Sequence, residues 1–445
     1  MDLLKTIKIK NDNRISVFDL IAFNLCKKHT FLHKYNAINV FYYIFVMRKN
    51  IIMFHRKIFP ALEKHLNQKQ VTVITGLRRV GKSTALKHLY NLSETTNKIY
   101  LDLERIENQA IFLKNSYADI ERDLELLGFD FSKPGVIAID EIQMVKTTSS
   151  IIKAFYDDFG TKFIVTGSSS FYLKNHFSES LAGRKRIFEM MPLDFEEFLW
   201  FRKLDTKRLA NEKLKPFFNT FYDLYKVYYE EYLQFGGFPE VVLTPDNEDK
   251  IAYLKDILNS HIELDVRLLG DISSSDVLYK LILLLANRVG IKIDYSKIAS
   301  LLGVNRNKVK DYVLLLEATY LIKTINVYSK GIDIEIAKQP KLYFADNGLL
   351  QICGQLSSGT IFENAIANQF SNLGEVHYYE KNIGSEIDFI LNKTIAIEVK
   401  ETPSDLDLKT LNKRAKSLAI EDSFLIGRNL APSGFKDFVW GGAIF

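Results

Sequence analysis

The sequence predicts an α/β protein of several domains, the first of them built on a parallel sheet with helices on both faces. Short apolar segments alternate with helical patterns between residues 71 and 166, which is typical of such a sheet. The chain has 445 residues, enough for about two to four domains. Its 47% hydrophobic and 25% charged residues exclude a disordered, collagen-like or purely heptad-based chain.

Four segments are continuous in apolar and β-branched residues and predict buried strands, namely Val71–Thr75, Ile99–Leu103, Val136–Ile139 and Phe163–Thr166. Helical patterns, such as Ser83–Leu92 and Ile151–Phe159, separate them. After Met191 the strand pattern stops, and a mostly helical region rich in Phe, Tyr and Leu follows to about Gly270. We therefore expect a core domain over residues 53–190 and a helical domain over residues 191–272.

The next unit, expected over residues 273–345, has three helical patterns and ends in the apolar run Leu321–Val327. Tyr295–Leu302, a turn and Asn307–Tyr320 have the spacing of a winged helix-turn-helix. The apolar residues expected to face each other are Ile298, Leu301 and Leu302 on one helix and Val309, Val313 and Leu316 on the other.

This helix-turn-helix has the one basic patch of the main body. Residues 291–341 contain nine basic and five acidic side chains. We expect Asn305, Arg306, Lys308 and Lys310 at the exposed start of the second helix, where they could contact DNA phosphates. Packing between domains is the alternative use of such a unit.

Residues 346–445 are expected to form a last α/β domain. A helix at Ile361–Asn372 precedes a hairpin of Glu386–Leu391 and Thr394–Val399, turned at Asn392-Lys393. We find no internal repeat and no low-complexity linker.

Charge and cysteine content narrow the class of protein further. Residues 1–52 have nine Lys and Arg against three Asp, so the net charge of +5 comes from this extension and not from the main body. The extension is either a dispensable leader or a basic arm. Two cysteines, Cys26 and Cys353, are too few for a disulfide framework and suit a reducing compartment. The absence of a long apolar run and of a secretory signal pattern predicts a cytoplasmic protein with no membrane partner.

Residues 76–83 fit the phosphate-binding pattern G-x-x-x-x-G-K-[ST] and lie between a predicted strand and a predicted helix. The glycines let backbone N–H groups surround phosphates, the lysine reaches the β- and γ-phosphates, and the serine hydroxyl binds Mg²⁺. A chance match in a glycine-containing turn is the alternative. The residues expected to bind ATP are Gly76, Leu77, Arg78, Arg79, Val80, Gly81, Lys82, Ser83 and Thr84.

A second motif, Val136–Glu141, is an apolar strand that ends in two carboxylates. Asp140 is expected to hold the Mg²⁺ hydration shell, and Glu141 to polarise the water that attacks the γ-phosphate. A solvated acidic turn is the alternative. Together with the phosphate loop, the pair predicts a hydrolysing site.

Two further positions are candidates at the γ-phosphate. Ser168 follows the strand Phe163–Thr166 and is expected to sense that phosphate at the carboxyl edge of the sheet, with Thr166 as the alternative. Arg184 could stabilise the developing phosphate charge, either in its own chain or in a neighbouring chain of a homo-oligomer. A surface ion pair is the alternative for Arg184.

These motifs, together with Ile-Asp-Glu-Ile-Gln, Thr-Gly-Ser-Ser-Ser, Leu-Ala-Gly-Arg and Gly-Gly-Phe-Pro-Glu at residues 236–240, resemble a family of prokaryotic AAA-type P-loop ATPases. Proteins of that family have a C-terminal domain long labelled as of unknown function. The resemblance extends from about residue 54 to the C-terminus. It implies an AAA core followed by a helical lid that contains residues 236–240.

The C-terminal region has a second set of chemically capable residues. Glu363 lies on the predicted helix, Asp388 on one hairpin strand, and Glu398 and Lys400 on one face of the other. Asp388 and Glu398 could bind Mg²⁺ or Mn²⁺, and Lys400 could orient or deprotonate an attacking water. The set resembles the PD-(D/E)xK nuclease fold, that of restriction endonucleases, although Ile387 stands in the proline position. A half-exposed hairpin with an ion pair is the alternative.

The sequence thus predicts a Mg²⁺-dependent ATPase whose turnover moves a winged helix and a nuclease-like domain acting on DNA. The alternative is a nucleotide-switched regulatory or signalling protein whose C-terminal domain binds a partner or DNA without cleaving it.

Overall fold

The computed structural model describes residues 54–167, 181–206, 219–266, 275–329, 331–381, 385–431 and 434–444. From His55 onward the chain forms one compact unit. The basic extension of residues 1–52 and the candidate sensor Ser168 lie outside the described residues.

Five parallel strands form the sheet of the first domain, in the order β2-β3-β4-β1-β5. The strands are β1 (Val71–Thr75), β2 (Lys98–Asp102), β3 (Val136–Asp140), β4 (Lys162–Gly167) and β5 (Lys185–Glu189). The surrounding helices are α1 (Phe59–Leu66), α2 (Lys82–Leu92), α3 (Ile106–Phe112), α4 (Tyr117–Leu126) and α5 (Thr148–Phe159). The predicted α/β class and the parallel sheet are therefore confirmed.

The two strands that carry the nucleotide motifs are buried along their whole length. Every residue of β1 and of β3 is buried, because helices cover both faces of the sheet. The strand ends are therefore held rigidly, and the carboxyl ends of β1, β3 and β4 lie at one edge of the sheet.

A helical region follows the sheet, as predicted. Its helices are α6 (Phe195–Phe201), α7 (Asn219–Phe235), α8 (Pro239–Leu243) and α9 (Asn247–Ser260), continued by one π-helical turn at His261–Val266. A capping box fixes the start of α6, where Asp194 and Glu197 each accept a hydrogen bond from the other's backbone N–H.

The third region contains the predicted helix, turn and helix. Its elements are α10 (Ser275–Ala286), α11 (Tyr295–Leu302), α12 (Arg306–Ala318), β6 (Ile322–Ile325), α13 (Ile332–Ala337) and β7 (Lys341–Phe344). Ile298, Val309 and Val313 are buried between the two helices as expected. Leu301 is 57% exposed, however, so its predicted place in this contact is wrong. It lies on the solvent face of α11 because only the Ile298 side of that short helix meets α12.

The last region folds around a five-stranded mixed sheet of order β12-β11-β10-β9-β8. Its elements are α14 (Asn347–Cys353), α15 (Ser358–Ser371), β8 (Val376–Glu380), β9 (Glu386–Leu391), β10 (Ile395–Lys400), α16 (Asp405–Ser417), β11 (Asp422–Gly427) and β12 (Val439–Trp440). The predicted hairpin turn is present, with φ of 51° at Asn392 and 62° at Lys393. Among the described residues, no helix has both the length and the apolar character needed to cross a bilayer.

Candidate nucleotide site and C-terminal carboxylate cluster

The loop between β1 and α2 can take its conformation only with glycine at its ends. Gly76 has a φ of 143°, and a Cβ atom there would lie 2.0 Å from the carbonyl oxygen of Met190. Gly81, with a φ of 101°, directly precedes α2. Any other residue at these positions would clash or be strained, so the two glycines of the motif are required by the backbone.

Lys82 is the first residue of α2 and lies inside this loop. Its side chain is buried, and the ammonium donates hydrogen bonds to the carbonyl oxygens of Gly76 at 3.1 Å and Leu77 at 2.8 Å. The N–H groups of the first helical turn have no partner within the helix and carry the positive end of its dipole. The loop therefore places a cation and several N–H donors around one space suited to phosphate.

A cleft of about 610 Å³ opens over the loop. One wall belongs to the loop and the acidic strand end, and the other to helices α8 and α9. Of the residues expected to bind ATP, Leu77 and Val80 are fully buried under the loop and contribute only backbone groups. The residues that line the cleft are Arg78, Arg79, Gly81, Lys82, Ser83, Thr84, Glu141, Pro239, Glu240, Tyr253 and Ser260.

Asp140 ends β3 beside this cleft and is fixed by two neighbouring strands. The Thr166 hydroxyl donates a hydrogen bond to Oδ1, and the Tyr100 hydroxyl donates one to Oδ2 at 2.8 Å. The backbone N–H of Glu141 donates to the same Thr166 oxygen at 3.0 Å. Thr166, the alternative to Ser168 at this edge, therefore joins both residues of the acidic pair.

Glu141 has a left-handed backbone with a φ of 55°, a strained conformation for a residue with a side chain. This turn directs its carboxylate toward the cleft, where Oε2 accepts a hydrogen bond from the Gln143 side chain. Burial raises the pKa of nearby Glu104, and the charges of Glu141 and Asp102 add to the increase. The carboxyl edge of the sheet is thus strongly acidic beside the cationic loop.

Ser83 and Asp140 fit a Mg²⁺ ion bound with a nucleotide. The Ser83 side chain lies at the cleft, and each Asp140 oxygen keeps a lone pair beyond the hydrogen bond that it accepts from Thr166 or Tyr100. The described residues contain no group of three His, Cys, Asp or Glu placed to hold a metal ion. A P-loop Mg²⁺ needs no such group, since phosphate and water supply most of its ligands.

Arg56 supports the phosphate loop and was not predicted from the sequence. The buried guanidinium binds Glu197 at 3.0 Å, the carbonyl oxygen of Val80 at 2.9 Å and that of Met191 at 2.8 Å. It therefore ties the loop to α6 and to the segment after β5. No local pattern around residue 56 signals this role, because all three partners are distant in sequence.

Arg184 lies at the amino ends of the strands, whereas the loop lies at their carboxyl ends. Its carbonyl oxygen accepts a hydrogen bond from Val71 at the start of β1, which the length of that strand, about 13 Å, separates from the loop. Its Nε donates to Asp157 at 2.8 Å. The prediction that Arg184 acts on the nucleotide of its own chain is therefore wrong. Its contact with the nucleotide of a neighbouring chain stays a prediction.

The C-terminal residues singled out in the sequence come together in the fold. Glu363 lies on α15, Asp388 on β9, and Glu398 and Lys400 on β10. Asp388 accepts a hydrogen bond from the Val399 N–H at 2.8 Å, and the Lys400 ammonium donates to Glu398 at 2.8 Å. We call Glu363, Asp388 and Glu398 the carboxylate cluster.

Burial and mutual repulsion raise the pKa values of the carboxylate cluster. Burial raises the pKa of Glu363 and of Glu398 to about 7 each, and the negative charge of Asp388 contributes to both. Burial also raises the pKa of Asp388. Oε2 of Glu398 is buried and has no hydrogen-bond partner. The raised pKa values and this unpaired oxygen suit a bound cation. The three carboxylates are nevertheless not close enough together to hold a metal ion as the described residues stand.

Three families match successive parts of the chain. Residues 68–199 match an AAA domain, residues 226–358 match a domain of unknown function (DUF8612), and residues 358–441 match another domain of unknown function (DUF4143). With the parallel sheet and the loop described above, the first match shows an AAA-type P-loop ATPase fold in residues 68–199.

Two similar proteins match this chain over most of its length. An uncharacterized protein of Methanocaldococcus jannaschii is 29% identical over 384 residues, which are 81% of this chain and 82% of that protein. An uncharacterized protein of Haemophilus influenzae is 27% identical over 76% of this chain and 85% of its own length. Among solved structures, a Walker-type ATPase of Pyrococcus abyssi has a TM-score of 0.42 and 18% identity, covering 68% of this chain and 96% of that one.

Proposed function

We propose that this protein hydrolyses ATP with Mg²⁺ in the cleft between the phosphate loop and helices α8 and α9. The observation that carries the proposal is that Lys82, Ser83 and Glu141 line one cleft, although Glu141 comes from a different strand. A site for binding alone has little use for a carboxylate placed beside the phosphate groups.

Each residue has a distinct task in this proposal. The backbone N–H groups of the loop and Lys82 bind the phosphates, and Arg78 and Arg79 add positive charge at the mouth of the cleft. Ser83 and Asp140 would hold the Mg²⁺, which neutralises charge on the phosphate oxygens when bound. Glu141 takes a proton from the attacking water, while Thr166 keeps the acidic pair in place.

The test is ATP turnover by Lys82→Ala. We expect kcat/KM to fall by about a hundredfold or more, because the phosphates lose their charged donor. Lys87→Ala is the matched control, since Lys87 lies on the same helix but is exposed. A second variant, Glu141→Gln, should bind ATP and fail to hydrolyse it. Undiminished turnover in Lys82→Ala would end the proposal.

A second proposal concerns the C-terminal region. We propose that it is a nuclease-like domain acting on DNA together with α11 and α12 as a winged helix-turn-helix. What favours this is the order α15, β8, β9, β10, α16, β11 around the carboxylate cluster, with Lys400 beside it. Exposed Arg306 and Lys310 at the start of α12 provide cations for phosphate contact.

The test is cleavage of duplex DNA in the presence of added Mn²⁺ or Mg²⁺. We expect cleavage that is lost in Asp388→Asn and kept in Asp422→Asn, whose residue is exposed at the start of β11. Absent cleavage, or cleavage that Asp388→Asn leaves unchanged, would favour the other function. In that case the protein is a nucleotide-switched regulator whose C-terminal domain binds a partner or DNA.

We also propose a homo-oligomer in which Arg184 reaches the nucleotide of the neighbouring chain. The support is that Arg184 is partly exposed, at the sheet edge far from its own loop. We expect the rate of ATP turnover per chain to rise with protein concentration in the wild type and to stay constant in Arg184→Ala.

A further inference from the structure

One cation beside the carboxylate cluster comes from outside the C-terminal sheet. Lys341 begins β7, the strand that pairs with β6 after the helix-turn-helix. Its side chain is 8% exposed, and the ammonium donates to Oε1 of Glu386 at the start of β9. A buried ammonium is costly unless carboxylates compensate for its lost hydration, so this contact is part of what holds β7 against the C-terminal sheet.

The charge of Lys341 acts on the cluster itself as well as on Glu386. Burial lowers the pKa of Lys341, but the carboxylates of Glu363, Glu386 and Asp388 outweigh burial and raise it. Burial raises the pKa of Glu363 and of Asp388, and the charge of Lys341 opposes this increase at Glu363 and, after the larger effect of Lys400, at Asp388. The ammonium therefore performs the electrostatic task that a divalent cation performs in a carboxylate site.

Neighbouring groups of the same region cover Glu363. The Tyr343 hydroxyl, two residues along β7, donates to Oε1 of Glu363 at 2.8 Å. Gly290, after α10, approaches so closely that a Cβ atom there would lie 2.9 Å from the same oxygen. Oε1 of Glu363 is thus hydrogen-bonded and enclosed. The Lys341 ammonium lies nearby and partly neutralises the negative charge of the Glu363 carboxylate.

The described residues contain no group of three His, Cys, Asp or Glu side chains placed to hold a metal ion, and Lys341 supplies a positive charge beside the carboxylate cluster. We propose that Lys341 is a tethered counter-ion of the carboxylate cluster, and that its ammonium competes with a divalent cation for this site. The inference rests on the proposed C-terminal centre and deepens it by naming the residue whose charge limits metal binding there.

Mn²⁺ binding to nucleotide-free full-length protein, followed by calorimetry and electron paramagnetic resonance, tests the proposal. Lys341→Gln and Lys341→Met remove the charge, and Gln retains a donor for Glu386. We expect both to bind Mn²⁺ roughly tenfold or more tightly than the wild type, since a competing charge is gone. Lys341→Arg restores the charge and should bind as weakly as the wild type.

Two further variants identify the site. Lys292 is exposed and lies beside Lys341 in a bridge between their backbones, but its ammonium pairs with half-buried Glu380 at 2.8 Å. Lys292→Gln should therefore leave Mn²⁺ affinity unchanged. Adding Asp388→Asn to Lys341→Gln should abolish the gain, which places the ion at the carboxylate cluster and not at the phosphate loop.

The proposal is overturned if neither neutral variant gains Mn²⁺ affinity, or if the wild type already binds as tightly at a site that depends on Asp388. These results are separate from DNA cleavage. A gain of metal affinity without cleavage keeps Lys341 as the counter-ion and removes the nuclease. Asp388-dependent cleavage by the wild type, with no change in Lys341→Gln, removes the counter-ion and keeps the nuclease.

Discussion

Thr166 decides the geometry of the acidic pair although it has no charge of its own. Its hydroxyl donates to Asp140 and accepts from the Glu141 N–H, so one oxygen fixes both residues. Thr166 is fully buried, which excludes water as a substitute partner. The strained backbone at Glu141 is therefore kept in place by a hydrogen bond from the next strand.

Replacing this hydroxyl should reduce catalysis more than nucleotide binding. In Thr166→Val the side-chain shape is kept, Asp140 loses a donor and the Glu141 N–H loses its acceptor. We expect kcat for ATP to fall by roughly tenfold to a hundredfold with little change in nucleotide affinity. The free energy of unfolding should fall by about 1–3 kcal/mol, because a buried N–H is left unpaired.

Thr72→Val is the matched control for that measurement. Thr72 is also fully buried and bonded to a side chain, His65 Nδ1 at 2.8 Å, but lies within β1 away from the acidic pair. It should lose stability and keep kcat. Equal kcat values in the two variants would mean that Thr166 has no role in hydrolysis.

The residues predicted from the sequence are those whose role is set by a local motif. The phosphate loop and the acidic pair follow directly from strand–loop–helix and strand–end patterns. Tyr100 and Arg56 act through partners that are 40 and 141 positions away in sequence, so no local signal marks them. Thr166 is intermediate, since a polar residue at the end of a buried strand is a signal for a group at the sheet edge.

At the scale of elements, burial on both faces determined which strands could be predicted. The β1 and β3 segments are apolar throughout because helices cover both faces, and both were predicted. β5, with the sequence Lys-Arg-Ile-Phe-Glu, was missed because it is an edge strand with mostly accessible residues. The Asn392-Lys393 turn was predicted, since its left-handed backbone favours Asn.

The same reasoning explains what could not be predicted at the carboxylate cluster. Alternation along β10 placed Glu398 and Lys400 on one face, which the structure bears out with their 2.8 Å contact. The position of Lys341 beside the carboxylate cluster depends instead on how β7 packs against β9. Contacts between elements that are not consecutive in the chain have no periodic signal.

At the scale of the whole molecule, one carboxylate joins the segment after β5, the helical region of α6 to α9 and the C-terminal region. Asp346 accepts a hydrogen bond from the Gly237 N–H at 2.7 Å and another from Leu349 at the start of α14. The Gly237 carbonyl in turn accepts from Leu193, at the end of the core. Pro239, two residues after Gly237, already lines the nucleotide cleft. Hydrogen bonds and two residues of chain thus connect the wall of the nucleotide cleft to Asp346.

Asp346 should also make stability depend on pH. Burial raises its pKa to about 6 from the ordinary value of 3.8, although backbone N–H donors from Gly237, Leu349 and Gly348 oppose the shift. The folded protein thus holds this proton more tightly than the unfolded chain. The contribution of Asp346 to the free energy of unfolding is therefore greatest below pH 3.8, falls as the pH rises through about 6, and is lost above it, a change of up to about 3 kcal/mol.

Asp346→Asn removes this titration and isolates it from the other buried carboxylates. The variant should be less stable than the wild type at pH 4, because an amide cannot accept hydrogen bonds from both Gly237 and Leu349 through two oxygens. The difference in free energy of unfolding should then shrink by up to about 3 kcal/mol between pH 4 and pH 7. Urea unfolding at a series of pH values measures it. Asp246→Asn, at an exposed helix start, is the control and should show a gap that does not change in this way. If the Asp346→Asn gap is equally constant, the folded protein does not raise the pKa of Asp346, and the expected pH dependence is wrong.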